Sequence, residues 1–383
     1  MSRHDFEIPV VFKHRIVFTR NAFAPDNREL AAILQEGGGR RAFVFIEQAV
    51  AAAWPDLAEA VERYFDSLAV EFCGSAVWPG GEAAKTDDAL VRQVWDALDQ
   101  AHIDRHSYAL AIGGGAFLDA VGLAAATAHR GVRLVRFPTT TLSQDDGGVG
   151  VKCAINGFGK KNWVGAFAVP FAVVNDFAFL RSQHPETSRG GLIEAVKVAL
   201  VKDPEFFAWI ETHRAALAAA DPAFIEPCIE RSALLHARHI ATGGDAFESG
   251  SSRPLDFGHW AAHKLEALTG YAVSHAPAVS IGLALDTCYS VRCGLLASTA
   301  ATRILRVLDA LQLPTYHPAL DWIDAAGRRR IFAGLDEFRE HLGGQLTVLL
   351  LQDIGIGVNV HQMDESLLCH AIEQLRLHSA TRA

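Results

Sequence analysis

The sequence predicts an α/β fold class for the first half of the chain and an all-α class for the second half. Short β-rich runs alternate with Ala-rich helical stretches up to about residue 180, which is typical of a parallel sheet with crossover helices. One run ends in a glycine-rich turn that leads into a helix, and longer helical runs follow residue 186. A chain of 383 residues, half of them hydrophobic, is long enough for two such domains.

Each predicted strand of the first domain is a short apolar run between polar or glycine residues. The strands, in order, are RRAFVFIE, SLAVEFCG, SYALAIGGG, VRLVRFPTT and FAVVNDF. The helical runs of the second domain include GGLIEAVKVALVKDPEFFAWIETH, AFIEPCIERSALLHARHI and HWAAHKLEALTG, with a Gly- and Ser-rich break at 243–252. Because the pattern changes near 184–190, we predict domains at residues 1–185 and 186–383.

Charge and the first residues exclude several classes of function. A net charge of −9 provides no general basic field for nucleic acid or an anionic membrane. The start, MSRHDFEIPVVFKHR, mixes charges where a signal peptide has its apolar stretch, and no apolar run approaches a membrane span. We expect a cytoplasmic protein with six reduced cysteines and a small-molecule substrate.

The stretch SYALAIGGGAFLDAVGLAAATAHRG predicts a strand, a glycine turn and a helix. Gly113, Gly114 and Gly115 allow backbone N–H groups to approach a phosphate, which would face the positive end of the helix. Asp119, one turn into the helix, would face the same ligand or cap the helix. The alternative is a tight turn without a ligand.

Two further loops carry polar groups that suit binding. PGGEAAK places Glu82, a candidate for holding a ribose hydroxyl, close to Lys85. Residues 137–167 lack a clear element and are unusually polar for a connection inside a domain. The candidates there for gripping a phosphate or hydroxyl groups are Lys152, Lys160, Lys161 and Asn162. Charged surface loops are the alternative in both places.

Three histidines and a glutamate form the candidate metal site. His259 and His263 lie four positions apart on one helix face and can address one point, and His275 follows after a turn. Glu194 and Lys197 share a helix face, either as an intrahelical ion pair or as a metal ligand beside a substrate-binding cation. The set can provide a His2Glu metal site with one histidine left for acid-base chemistry.

Together these segments resemble the sugar phosphate cyclases, whose best-known member is 3-dehydroquinate synthase. The resemblance extends from about residue 42 to about residue 356. Its ordered motifs are GGE..K at 80–85, GGG...D....AA....RG at 113–131, PTT at 138–140, Q.D..VG.K...N..GKKN..G.F at 144–167, EAVK at 194–197 and FGH...H..E at 257–266.

The resemblance implies a homodimer with a Rossmann-like NAD-binding domain, a helical domain and an active site in the cleft between them. It also implies NAD and a divalent metal, zinc or else cobalt. The implied metal ligands are Glu194, His259 and His275. The implied substrate- or phosphate-binding residues are His263, Lys152, Lys161, Asn162, Lys197 and Arg130, the last from the other subunit. The implied NAD-binding residues are Asp119, Thr139, Thr140 and the three glycines, with Asp146 between cofactor and substrate.

The chemistry implied by the resemblance is a redox cycle without net oxidation. NAD accepts a hydride from a ring carbon, and the resulting ketone acidifies the adjacent C–H. Phosphate then leaves, the hydride returns, and the opened enol closes onto a carbonyl by an aldol step. The metal would polarise oxygen atoms, the lysines would neutralise the departing phosphate, and NAD would be regenerated.

Departures from the family pattern indicate the substrate. Dehydroquinate synthases bind the substrate carboxylate with the arginine of L-R-x-L-L-N-x-G-H, whereas SSRPLDFGH here has Ser252 at the place of the arginine and Asp256 at the place of the amide. Aspartate repels a carboxylate and accepts hydrogen bonds from hydroxyls. PLDFGHW and EFREHLGG, with His341 at the place of a lysine, resemble the sedoheptulose 7-phosphate cyclases (2-epi-5-epi-valiolone synthases) and the homologues of ebo-type gene clusters. A neutral-headed ketose phosphate is therefore the expected substrate.

A second departure follows the last histidine. The family has H-G-E-A-V, whereas this chain has His275-Ala276-Pro277-Ala278-Val279, and loss of the Gly-Glu pair is expected to weaken the support of the metal. Three other functions stay open: a 3-dehydroquinate synthase, a metal-dependent alcohol or glycerol dehydrogenase with the same two-domain plan, and a non-catalytic homologue that binds nucleotide or sugar phosphate.

Overall fold

The computed structural model describes residues 2–158, 160–247 and 254–381. The chain forms two compact units that interleave along the sequence. The first comprises Met1–Pro138, Val151–Gly157 and Asn162–Asp176, and the second comprises Thr139–Gly150, Phe158–Lys161 and Phe177–Ala383. The domain boundary predicted at residues 185/186 stays a prediction.

Parallel β-structure dominates the region up to residue 176. The strands are β1 (Ile16–Thr19), β2 (Arg41–Glu47), β3 (Glu71–Trp78), β4 (Tyr108–Gly113), β5 (Arg133–Pro138), β6 (Lys152–Gly157), β7 (Lys160–Phe167) and β8 (Ala172–Asp176). Six of them form one sheet in the order β1-β8-β5-β4-β2-β3, every pair parallel, and β6 pairs with β7. Strands β2, β4 and β8 are almost entirely buried, which explains their continuous apolar sequences.

The helices of this region are α1 (Glu29–Gly37), α2 (Gln48–Ala53), α3 (Leu57–Asp66), α4 (Ala89–Gln100) and α5 (Gly115–Thr127). Val94 of α4 and Phe117 of α5 share a buried core with Phe45 of β2 and Ala111 of β4. The order of the strands reverses at β2, since β3 lies on one side of it and β4 on the other. In open parallel sheets, ligands bind beyond the carboxyl ends of the strands at such a point.

The second unit is mainly helical. Its helices are α6 (Pro185–Gly191), α7 (Ile193–Lys202), α8 (Pro204–Ala218), α9 (Pro222–Thr242), α10 (His259–Leu268), α11 (His275–Arg292), α12 (Ser298–Ala310), α13 (Ala333–His341) and α14 (Glu365–Ala380). An antiparallel hairpin of β9 (Val348–Asp353) and β10 (Ile356–Val360) follows α13. Within the described ranges, every helix is too short or too polar to cross a membrane.

The predicted fold class is confirmed: a parallel α/β region precedes a helical region. The prediction that residues 137–167 lack a clear element was wrong. This segment contains a short π-helical turn, Ser143–Gly147, and the strands β6 and β7. Strand β7 is exposed along most of its length, so its sequence carries the polar residues of a loop instead of an apolar run.

Candidate active site

Three potential metal ligands converge in the second unit. Glu194 lies in the first turn of α7, and His259 and His275 are the first residues of α10 and α11. Glu194 Oε1 lies 3.9 Å from His259 Nε2 and 3.7 Å from His275 Nε2. Ligand atoms about 2.1 Å from a tetrahedral zinc ion are roughly 3.4 Å apart, so small side-chain movements would close this set on one ion. Glu194 Oε1 is buried and makes no hydrogen bond to any residue that the structure describes, which fits a metal ligand.

His263, Glu266 and His275 form a second possible cluster. Lys161 Nζ lies 2.5 Å from Oε1 of Glu266, and His275 Nδ1 lies 3.2 Å from Oε2. Both oxygens of Glu266 therefore already have a partner, whereas Glu194 keeps Oε1 for a cation even though Lys197 contacts its Oε2. The set of Glu194, His259 and His275 therefore fits a divalent metal better, and His263 is left for another role.

Burial favours the neutral form of two imidazoles, those of His259 and His263. Burial, with a smaller effect of Lys197, lowers the pKa of His259 to about 3. Burial also lowers the pKa of His263 well below its ordinary value. The neutral imidazole is the form that binds a metal. Burial raises the pKa of Glu194 in spite of Lys197, and a bound cation would favour its charged form.

Asp146 and Lys197 lie beside the three ligands. Asp146 Oδ1 is 2.8 Å from His236 Nδ1 and 3.9 Å from Lys197 Nζ. Burial would raise the pKa of Asp146, but Lys197 and His236 hold that pKa below its ordinary value. Burial would lower the pKa of Lys197, but Asp146 and Glu194, with which it forms an ion pair, raise it. The carboxylate of Asp146 and the ammonium of Lys197 therefore both stay charged.

Glu266 supports His275 from the side opposite Glu194. Its two oxygens contact Lys161 and His275. Burial would raise the pKa of Glu266, but His275 and Lys161 hold that pKa well below its ordinary value. A carboxylate that accepts from Nδ1 of a metal-binding histidine fixes the tautomer and the orientation of the ring. His275 thus has a carboxylate partner despite the Ala276-Pro277 departure.

Asp256 adds a negative charge close to this group. It is partly buried and precedes α10 by two residues. Its charge raises the pKa of Lys197 and opposes the lowering of the pKa of His259. The carboxylate that replaces the amide of dehydroquinate synthases therefore acts electrostatically on the candidate site.

In the first unit, both glycine-rich turns approach one carboxylate, that of Glu47 at the end of β2. Glu47 accepts hydrogen bonds from the backbone N–H of Gly81 at 3.0 Å and of Gly114 at 2.6 Å. A Cβ at Gly80 or Gly113 would lie 1.9 Å or 2.9 Å from its oxygens, so glycine is required there. Around Gly115, the place of a Cβ is open. The turn lies where the strand order reverses, as expected for a dinucleotide site.

A polar network extends from this turn. Lys85 is buried, and its Nζ lies 2.5 Å from Asp119 Oδ2 and 2.6 Å from Asn162 Oδ1. Asn156 connects the ends of the network, because it donates to Glu82 Oε1 at 2.9 Å and accepts from the backbone of Asn162 at 3.0 Å. Lys85 is thus committed to side chains, and a carboxylate such as that of Asp119 can accept more than one hydrogen bond.

The predicted residues fall into two groups. The second unit brings together Glu194, His259, His263, His275, Lys197, Asp146, Lys161 and Asp256. The first unit brings together Gly113, Gly114, Glu82, Lys85, Asp119 and Asn162 through the contacts above.

For most of the other predicted residues, the structure gives burial and position in the chain. Thr139 is buried and Thr140 partly buried directly after β5. Lys152 is exposed at the start of β6. Arg130 is exposed, with a φ of 62°, and its predicted reach into a partner subunit stays a prediction. The side chain of His341 lies outside the described part of the chain.

Sequence reasoning assigned no role to three residues that contact the candidates. Glu47 could have been identified from the sequence, because an acidic residue that ends a buried strand of a dinucleotide-binding sheet often binds a ribose hydroxyl. Glu266 stood in the motif FGH...H..E without a function. His236 had no signal, because nothing in the spacing of α9 indicates that one of its histidines contacts Asp146.

A glycine turn at the switch point of a parallel sheet, together with a separate cluster of carboxylate and imidazoles, defines a dinucleotide- and metal-binding protein class. Residues 75–189 match the family 3-dehydroquinate synthase N-terminal, and residues 191–328 match the family 3-dehydroquinate synthase C-terminal. A 3-dehydroquinate synthase of Nitrosococcus oceani is 34% identical over 79% of this chain and 82% of its own length. The chain belongs to the 3-dehydroquinate synthase family, as its motifs predicted.

Solved structures share this fold over nearly the whole chain. A 2-epi-5-epi-valiolone synthase from Streptomyces hygroscopicus subsp. jinggangensis, with NAD+ and Zn2+ bound, superposes with a TM-score of 0.87 at 28% identity, covering 98% of this chain and 100% of its own. A 2-deoxy-scyllo-inosose synthase complexed with carbaglucose-6-phosphate, NAD+ and Co2+ superposes with a TM-score of 0.76 at 20% identity, covering 94% and 96%. The second likeness shows the fold alone.

Proposed function

We propose that this chain is an NAD- and metal-dependent sugar phosphate cyclase whose substrate is a neutral-headed ketose phosphate of the sedoheptulose 7-phosphate class. The observation that carries the choice of substrate is the negative charge of Asp256, which acts on Lys197 and His259 of the candidate site. A carboxylate at this position opposes an acidic substrate head and accepts hydrogen bonds from hydroxyl groups. The likeness to a 2-epi-5-epi-valiolone synthase over the full chain supports the same branch.

The second unit would bind the metal and the phosphate group of the substrate. Glu194, His259 and His275 would hold zinc or cobalt, which when bound polarises substrate oxygen atoms. Lys197 and Lys161 would neutralise the charge of the departing phosphate. The lowered pKa of His263 favours its neutral form. Because His263 is not one of the proposed metal ligands, its imidazole could act as a general base and then as a general acid.

The first unit would bind NAD, as the structures of family relatives with NAD+ suggest. Glu47 and Glu82 would accept hydrogen bonds from ribose hydroxyls, and the open space at Gly115 would admit the pyrophosphate at the start of α5. NAD held there would supply the hydride chemistry and would be regenerated in each cycle. In this proposal, Asp119 also holds the cofactor, and the NAD contacts expected of Thr139 and Thr140, which belong to the second unit, stay predictions.

A second candidate is 3-dehydroquinate synthase itself. It is favoured by the curated relatives, because the enzyme of Nitrosococcus oceani is 34% identical over most of both chains. Membership of this family argues against a simple alcohol or glycerol dehydrogenase. The carboxylate partner of His275 supports a catalytic protein over a non-catalytic homologue.

The test compares two substrates with the zinc-loaded protein and NAD. Phosphate release and product analysis should show turnover of sedoheptulose 7-phosphate, at a higher kcat/KM than the keto-acid phosphate that dehydroquinate synthases use. Faster turnover of the keto-acid phosphate would favour 3-dehydroquinate synthase instead.

The substitution Asp256→Asn tests the residue that carries the proposal. It removes the repulsive charge and restores the amide of the quinate enzymes, so the ratio of kcat/KM values should shift about tenfold toward the keto-acid phosphate, or ~1.4 kcal/mol. The control Asp99→Asn, on an exposed position of α4, should leave the ratio unchanged. An unchanged ratio in the Asp256→Asn variant would contradict the role of Asp256.

A further inference from the structure

Asp286 is a fully buried carboxylate that belongs to none of the predicted sites. It lies on α11, about three turns after His275. Its Oδ2 accepts the backbone N–H of Gly258 at 3.1 Å, and its Oδ1 accepts the indole N–H of Trp260 at 2.9 Å. Gly258 and Trp260 are the two neighbours of His259 in the chain, so Asp286 is bonded to both sides of a candidate metal ligand.

The backbones of α11 and of the start of α10 come close together at this point. A Cβ at Gly258 would lie 2.6 Å from the backbone nitrogen of Leu283, and a Cβ at Gly282 would lie 2.1 Å from the carbonyl oxygen of Gly258. Gly258 has a φ of 79°, which favours glycine. Trp260 is 1% exposed and fills the space beside this contact. The segment that contains His259 therefore packs directly against the backbone of α11.

We propose that Asp286 is a positioning residue that holds His259 at a fixed place relative to His275. Helix α11 begins with His275 and carries Asp286 further along, so one rigid element provides one imidazole and holds the segment that provides the other. The distance between the two ring centroids, 5.6 Å, is then set by α11. The inference rests on the proposed metal ligands Glu194, His259 and His275.

The energetics of burial support a positioning role. Burial raises the pKa of Asp286 to about 7, in spite of the hydrogen bonds from Trp260 and Gly258. A carboxylate in such a place contributes less to stability than an apolar side chain of similar volume would. Two directed hydrogen bonds to residues that flank a ligand, however, fix a backbone in a way that apolar contacts do not.

The test measures zinc affinity by competition with a chromophoric chelator. In Asp286→Asn, an amide NH2 group faces one of the two N–H donors, so that donor loses its acceptor. We expect the zinc Kd to rise 10- to 100-fold, as for other groups that orient metal ligands. The affinity for NAD should stay within about twofold of the wild-type value.

Two further variants separate positioning from general destabilisation. Trp260→Phe removes only the indole donor and should raise the zinc Kd by less than Asp286→Asn does. In the double variant, the Asn oxygen can accept from Gly258 while its amide no longer faces the indole, so part of the zinc affinity should return. This rescue is expected even if all three proteins melt at lower temperature than the wild type.

Ser290→Ala is the matched control on the same helix. Ser290 is buried, donates to the carbonyl oxygen of Asp286 at 2.7 Å and accepts from the backbone of Leu351 at 3.4 Å, but it touches neither neighbour of His259. It should lower the melting temperature and leave the zinc Kd within about twofold. A wild-type zinc Kd in Asp286→Asn, or an equal loss in Ser290→Ala, would overturn the positioning role.

His259→Ala separates failure of the inference from failure of the proposed function. It should weaken zinc binding more than any of the variants above, because it removes a ligand. If it binds zinc as tightly as the wild type, the proposed ligand set is wrong and the positioning role falls with it.

Discussion

The two units treat their buried polar groups differently. Around the glycine turn of the first unit, Glu47 accepts from two backbone N–H groups, and Lys85 lies between Asp119 and Asn162. In the second unit, Oε1 of Glu194 is buried without a hydrogen bond from any described residue, and it lies 3.9 Å from Nε2 of His259 and 3.7 Å from Nε2 of His275. In the first arrangement protein groups occupy the polar atoms, whereas in the second a buried carboxylate oxygen and two imidazole nitrogens are close enough to hold one metal ion.

This difference separates two ways of building a site. A preformed turn can be folded to its final shape by protein contacts alone, and a cofactor then adds to it. A cluster of carboxylate and imidazoles reaches its lowest energy only when a metal compensates the buried charge. Substitution of a metal-ligand residue in the second unit should therefore change the zinc Kd strongly. Substitution of a residue that holds the glycine turn of the first unit should change the Kd for NAD less.

Glu194→Gln should have the largest effect. Glutamine keeps the shape but is a poor metal ligand, so the zinc Kd should rise by at least about a hundredfold and the stabilisation by zinc should disappear. Zinc titration and thermal unfolding with and without zinc would measure this. The control Glu205→Gln, an exposed carboxylate on α8, should behave as the wild type; zinc stabilisation that persists in Glu194→Gln would break the contrast between the units.

Glu47→Gln probes the first unit. One of the N–H groups of Gly81 and Gly114 would lose its acceptor, so the turn should be held less firmly and the Kd for NAD should rise about tenfold. Zinc affinity should not change. Glu71→Gln, at the exposed start of β3, is the control. If Glu47→Gln weakened zinc as much as NAD, the two sites would not be independent.

The pH dependence of stability tests the buried carboxylate of Asp286 in the second unit. The pKa of Asp286 is about 7 in the folded protein, above its ordinary value of 3.8. The folded state therefore binds more protons than the unfolded state between these values, and this part of the stability is lost as pH rises through 7. From pH ~5 to pH ~7, metal-free wild type should lose about 2–3 kcal/mol relative to Asp286→Asn in urea unfolding. If the free energy of unfolding changed with pH in the same way for the wild type and for Asp286→Asn, Asp286 would not titrate in this range.

Much of the fold was predictable because buried parallel strands and glycine turns leave local signals. Strands β2, β4 and β8 are buried and apolar along most of their length, and the turn at 113–115 follows β4. Strand β7 was missed because it is exposed and polar along most of its length. Strand β1 was missed as well, being a short edge strand of four residues.

The candidate site was predictable where residue type and family motif coincide. His259, His263 and His275 were singled out by spacing and Glu194 by the helix face that it shares with Lys197, and the family motifs selected the ligand set among them. The contacts of Glu47 with the glycine turns, of His236 with Asp146 and of Asp286 with Trp260 were not predictable. These pairs are far apart in the chain, and only the packing of the elements brings them together.

The most direct test of the central claim is a single-turnover reaction of the zinc-loaded protein with NAD and sedoheptulose 7-phosphate. Reduced nicotinamide and free phosphate are followed together by absorbance and a coupled assay. The account predicts that reduced nicotinamide rises and returns to its starting level while one equivalent of phosphate and a carbocyclic product form. Permanent accumulation of reduced nicotinamide, or phosphate release with no change in nicotinamide absorbance, would contradict it.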